Sequence, residues 1–90
     1  LLFLDLSFNE ISNLESDCFD GLRNLNELHL NNNKLQFISN GVFNSKNNFS
    51  FLRELYLFDN KLISLLQNTF SRLPPLNIVL DLSRNNLLQL

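Results

Sequence analysis

Leucines at alternate positions, followed three residues later by an asparagine, return four times along the chain. The copies read LDLSFNEI at 4–11, LHLNNNKL at 28–35, LYLFDNKL at 55–62 and LDLSRNNL at 80–87. Aligned on Asn9, Asn33, Asn60 and Asn85, they are spaced by 24, 27 and 25 residues, the period of a solenoid repeat. Leu4, Leu28, Leu55 and Leu80 stand five residues before the asparagines, and Leu6, Leu30, Leu57 and Leu82 three before. Ile11, Leu35, Leu62 and Leu87 stand two after, and Leu14, Ile38, Leu65 and Leu90 five after. Phe19, Phe43 and Phe70 form a later column, too far along to belong to the same extended segment.

A period of two sends the leucines to one face of a strand and the intervening residues to the other, which predicts strands at 3–7, 27–31, 54–58 and 79–83. Where the chain turns back, backbone donors and acceptors lose their ladder partners. An asparagine amide carries both an acceptor and a two-proton donor, so one residue satisfies both kinds of orphan. Asn9, Asn33, Asn60 and Asn85 are therefore expected to form a buried structural ladder. Ser16-Asp17 before Phe19, Ser39-Asn40-Gly41 before Phe43 and Asn68-Thr69 before Phe70 suit the caps of single helical or 3₁₀ turns, not long helices.

This pattern resembles the leucine-rich repeat family, in its typical subtype of roughly 24 residues. Phe19-Asp20-Gly21-Leu22 and Phe70-Ser71-Arg72-Leu73 match the end of that subtype's repeat, and the segment from Phe43 to Lys46 departs from it. The resemblance covers nearly the whole chain. It implies an α/β solenoid, a right-handed coil with a four-stranded parallel sheet on the concave side and loops or 3₁₀ turns on the convex side. It also implies kinship with animal extracellular proteins such as Toll and Toll-like receptors, Slit, chaoptin-like adhesion proteins and small proteoglycans.

The repeats fall at about 1–24, 25–51, 52–75 and 76–90, the last partial. Neither end carries the polar cap that a solenoid needs, so the chain reads as a fragment of one longer leucine-rich repeat domain. The second repeat is long because of the polar run 44–51, which is expected to form a surface loop. Within it Asn48-Phe49-Ser50 fits an N-glycosylation acceptor, making Asn48 the candidate glycan site. Pro74 and Pro75 belong in the loop before the last strand, and Asn77, where leucine is expected, predicts a local bulge. Cys18, the only cysteine, precedes Phe19 as Val42 and Thr69 precede their phenylalanines, and reads as a small buried hydrophobe.

Net charge is −2 with the basic residues scattered singly, which argues against nucleic acid as a partner. No apolar run reaches the 18 or so residues needed to span a bilayer, so membrane attachment would come only through a segment outside the fragment. No cofactor is expected.

The residues between the leucines should face the concave sheet: Phe3, Asp5, Ser7; Glu27, His29, Asn31; Glu54, Tyr56, Phe58; Val79, Asp81, Ser83. Asp5, Glu27, Glu54 and Asp81 supply four carboxylates there with no lysine or arginine among the twelve positions. Lys34 and Lys61 should lie on the flank. Tyr56 and Phe58 share one strand and are of the residue type enriched in interface anchors.

The candidate ligand-binding residues are therefore Asp5, Glu27, His29, Glu54, Tyr56, Phe58 and Asp81, and the expected ligand is a protein, for which a basic surface would complement the carboxylates. Asp5, Glu27 and His29 superficially suggest a metal site or a catalytic base. A shallow open sheet offers no water-excluding pocket, nucleophile or oxyanion donors, so neither an enzyme nor a metal site is expected. The reading is a non-enzymatic protein-interaction module from the extracellular, ligand-recognising part of a cell-surface receptor related to the Toll-like type. A structural adhesion or matrix protein is the alternative.

Overall fold

A computed structural model describes residues 2–44, 49–65, 68–71, 73 and 79–87. Four strands, β1 (Phe3–Asp5), β2 (Glu27–His29), β3 (Glu54–Tyr56) and β4 (Val79–Asp81), lie in chain order in one sheet. Every pairing is parallel, with Leu4, Leu28, Leu55 and Leu80 in register. A chain that repeats the same strand direction with an excursion of about two dozen residues between strands has built a solenoid, as the leucine spacing predicts.

Each strand is three residues long rather than the predicted five. The parallel ladder continues beyond β1 through Leu6 N–H to the His29 carbonyl (2.9 Å), and beyond β2 through Leu30 N–H to the Tyr56 carbonyl (2.9 Å). The Leu6, Leu30 and Leu57 carbonyls, however, accept from the side-chain amides of Asn33, Asn60 and Asn85 in the following repeat, at 3.1, 3.0 and 2.9 Å. The side chain that closes the turn thus takes the acceptor that a regular strand would use next.

Each asparagine also bonds within its own repeat. Asn33 donates to the Leu30 carbonyl and Asn60 to the Leu57 carbonyl, while their oxygens accept from Ile11 N–H and Leu35 N–H at 3.0 Å. Asn85 accepts from Leu62 N–H in the same way. Asn33 and Asn60 are buried; Asn85 is half-buried and Asn9 exposed. Just before each asparagine the backbone turns through left-handed φ, at Phe8 (55°), Asn32 (59°), Asp59 (58°) and Arg84 (56°). Asparagine and aspartate tolerate that region, whereas phenylalanine and arginine are strained there.

Leu28, Leu30, Leu35, Leu52, Leu55, Leu57 and Leu62 are fully buried between repeats, with Leu4, Leu6, Leu82 and Leu87 partly buried at either end. The convex side is wound by backbone bonds spanning three residues, such as Cys18 N–H to the Glu15 carbonyl (3.1 Å) and Leu73 N–H to the Phe70 carbonyl (3.2 Å). Among the described residues it contains turns and no helix. Phe19, Phe43 and Phe70 stack through these turns with ring centroids 6.2 and 5.9 Å apart.

Three expectations for the convex side need correction. Ser16 and Asp17 do not cap the first turn: among the described hydrogen bonds no backbone N–H donates to either side chain, and the Ser16 hydroxyl donates to the Asp17 carboxylate. Cys18 is exposed, not buried. Val42, at the equivalent position of the middle repeat, has a described convex turn on both sides and is buried, whereas the turn holding Cys18 has one on one side only. Finally, the insertion is not wholly a surface loop. Phe49 is fully buried and lies 5.7 Å from the Phe19 ring and 5.6 Å from the Phe43 ring, so the extra residues feed another phenylalanine into the core. Asn48, Pro74, Pro75 and Asn77 lie outside the described residues.

Candidate functional site

Because the leucines point inward, the register fixes what stands side by side on the other face. Phe3, Glu27, Glu54 and Val79 form one column, and Asp5, His29, Tyr56 and Asp81 the next. Ring contacts run across this face. The Phe3 ring lies 4.9 Å from that of His29, His29 lies 4.6 Å from Tyr56, and both contacts are inclined by little more than 30°. Phe58 then meets Tyr56 edge-on at 6.3 Å. A diagonal row of four rings therefore crosses β1, β2 and β3. Phe3 was placed on the concave face by the alternation, but its stacking on His29, a residue in the other column, was not foreseen.

The carboxylates fall into two groups. His29 Nε2 lies 3.2 Å from Glu27 Oε1, and the Tyr56 hydroxyl donates to Glu54 Oε1. That hydrogen bond, which favours the neutral phenol, pushes the Tyr56 pKa up to about 12, with burial and the surrounding carboxylates adding to the effect. Glu27 and Glu54 are direct cross-strand neighbours. Asp5 and Asp81 instead close tight local turns: each Oδ1 accepts both the N–H and the hydroxyl of the serine two residues on, Ser7 or Ser83. These bonds hold both aspartate carboxyls below the usual carboxylate range.

Lys34 and Lys61 are exposed, and Lys34 pairs with Glu10 at 3.2 Å. A second chain of contacts follows the left-handed turns. Asn31 donates to Asn32 Oδ1 (2.8 Å), Asn32 to Asp59 Oδ2 (2.9 Å), and Arg84 approaches Asp59 at 3.5 Å. Asn31 is 5 % exposed and its Oδ1 has no partner, a polar feature that its sequence position gave no sign of. Among the described residues no group of three histidine, cysteine, aspartate or glutamate side chains is placed to hold a metal ion.

Comparison with protein-family models matches residues 3–52 to the leucine rich repeat. The chain belongs to the leucine-rich repeat family. The match includes the first two strands and their asparagines, Asn9 and Asn33. Among characterised leucine-rich repeat relatives, Tsukushi of Gallus gallus is 37% identical over 90 residues, covering 97% of this chain and 23% of the relative. The chain thus spans less than a quarter of that relative's length. The family is generally one of non-enzymatic interaction modules, and the parallel sheet here is the part of such a module that presents side chains in ordered columns.

Proposed function

We propose that this chain contributes a protein-binding section of the concave surface of an extracellular leucine-rich repeat protein. The observation that carries the reading is the ring row Phe3–His29–Tyr56–Phe58, lying among Asp5, Glu27, Glu54 and Asp81 with no lysine or arginine at the positions that alternate with the leucines. Tyr56 and Phe58 act as apolar anchors, and the carboxylates complement a basic surface on the partner.

In its finer form the proposal assigns the chain to the ligand-recognising ectodomain of a cell-surface receptor, with an adhesion or matrix protein as the other use of the same module. The polypeptide that carries the chain decides between them. A membrane span followed by a cytoplasmic signalling domain supports the receptor, and a lipid-anchor signal or no anchor supports the alternative. An extracellular location also predicts a glycan on Asn48, which site-resolved mass spectrometry of native material reads directly.

The binding face is tested by kinetics on the full-length protein and its partner. Glu27→Lys with Glu54→Lys should lower the association rate and flatten its dependence on salt. Tyr56→Ala should mainly accelerate dissociation, by about 2 kcal/mol if the ring is a hot spot. Unchanged kinetics in these variants, with loss of binding on changing the flank bearing Glu10, Lys34 and Lys61, would place the interface elsewhere.

A further inference from the structure

From the same concave face, and resting on the reading of it as a protein-binding surface, we infer that Glu27 and Glu54 together seat one arginine side chain of the partner, with apolar partner residues lying along the ring row. The carboxylates on this face are not equivalent. Asp5 and Asp81 each give one oxygen to two donors from Ser7 or Ser83, and their negative charge is stabilised locally. Glu27 and Glu54 receive one donor each, from His29 and Tyr56, both on Oε1. Their Oε2 atoms have no described partner among the hydrogen bonds, and the two residues stand directly opposite across β2 and β3.

Strand spacing sets them about 4.8 Å apart at the backbone, where like charges destabilise each other. A cation bridging the two relieves that repulsion and gains charge-assisted hydrogen bonds. A guanidinium suits the pair better than an ammonium, because its five donors lie in one plane and can serve two carboxylates at once, whereas an ammonium is a compact, strongly hydrated point.

The ring row supplies the second half of the match. Phe3 and Phe58 extend the stacked His29 and Tyr56 pair diagonally across three strands, so an extended segment crossing the sheet meets apolar edges along the row and the glutamates to one side of it. Phe3 is 49% exposed, and apolar cover from the partner would exclude water from the ion pair beside it. The occupant is accordingly an arginine flanked by apolar residues in an extended protein segment.

The test uses the full-length protein and four fluorescent synthetic peptides, identical except at a central position set between leucines: arginine, lysine, citrulline or glutamate. Anisotropy should rank arginine above lysine, and arginine above its neutral isostere citrulline by about three- to tenfold. Glu27→Gln and Glu54→Gln should each shrink the arginine-to-citrulline ratio, and the double variant should bring it to one. Asp5→Asn and Asp81→Asn, which lie on the same face but are already held by serines, should each shrink it less than either glutamine variant does.

A ratio of one in the unmodified protein, no measurable binding of the arginine peptide, or a ratio that falls at least as far with Asp5→Asn or Asp81→Asn as with the glutamine variants overturns the seat. Phe58→Ala separates the two levels of argument. If it weakens all four peptides alike while the charge variants change nothing, the face binds protein but holds no arginine seat. If it too changes nothing, the binding-face reading itself falls.

Discussion

Replacing Asn60 by leucine, a side chain of nearly the same shape, removes the amide without opening a cavity and isolates what the asparagine ladder contributes. In the folded chain Asn60 accepts from Leu35 N–H at 3.0 Å and donates to the Leu30 and Leu57 carbonyls at 3.0 and 3.1 Å. The residue is 6% exposed, so water cannot readily replace those partners. An orphaned buried N–H costs about 1–3 kcal/mol, and the two carbonyls add about 1 kcal/mol, partly offset by the apolar leucine.

The expected loss is about 2–3 kcal/mol. Asn9→Leu is the control. Asn9 donates to the Leu6 and Ser7 carbonyls but is exposed, so solvent can take over its role and the loss should stay below about 1 kcal/mol.

Asn60→Asp then separates the two halves of the amide. It keeps the acceptor for Leu35 N–H but turns an acceptor toward two carbonyls, so the variant should be most damaged at neutral pH and recover as acid protonates the new carboxyl. Equilibrium urea denaturation of the three variants measures all of this. Equal losses at Asn9 and Asn60, or a loss below about 1 kcal/mol at Asn60, would refute the claim that the buried amide holds the repeats together.

Three further outcomes are expected. Tyr56 is the only tyrosine, so the phenolate absorbance of the folded protein should titrate as a single step near pH 12, and Glu54→Gln should move it back toward 10. Because the folded pKa is raised, the Glu54–Tyr56 contribution to stability is complete below pH 10 and is lost as pH climbs toward 12, which denaturant midpoints across that window will show. Phe8, 76% exposed with φ at 55°, should be improved by asparagine: Phe8→Asn should raise stability by about 0.5–1 kcal/mol, and a fall in the denaturation midpoint would mean that the ring makes contacts beyond those described.

The parts of the fold that repeat were readable from the chain. Leu28, Leu55 and their equivalents, the four asparagines and the Phe19–Phe43–Phe70 column are each a single residue type at a constant offset within the repeat, imposed by packing that is the same in every coil. What escaped had no such periodicity. The left-handed turn occurs four times, yet only Asn32 and Asp59 are residues that favour it; Phe8 and Arg84 hide the pattern, and both are exposed there. Phe49 entered the core from an insertion that breaks the period, and the alternation said nothing of it. Strand length was overread because the leucine pattern continues through Leu6 and Leu30, while the carbonyls there belong to side-chain amides.

The same distinction governs the concave face. Alternation alone put Asp5, Glu27, His29, Glu54, Tyr56, Phe58 and Asp81 on one surface, and the parallel register brings them into neighbouring columns. Which of them interact depended on side-chain conformation, and hence the split between serine-held aspartates and ring-held glutamates emerged only in three dimensions. Burial of the leucines and pairing of the asparagines do not require any particular residue at these intervening positions. A sheet under no demand but stability would avoid Glu27 opposite Glu54, since like charges there cost a few tenths of a kcal/mol to about 1 kcal/mol and an opposite or β-branched pair would return it. A local rule broken at a position free of structural constraint, beside a row of partly exposed rings, is where function is the most economical cause.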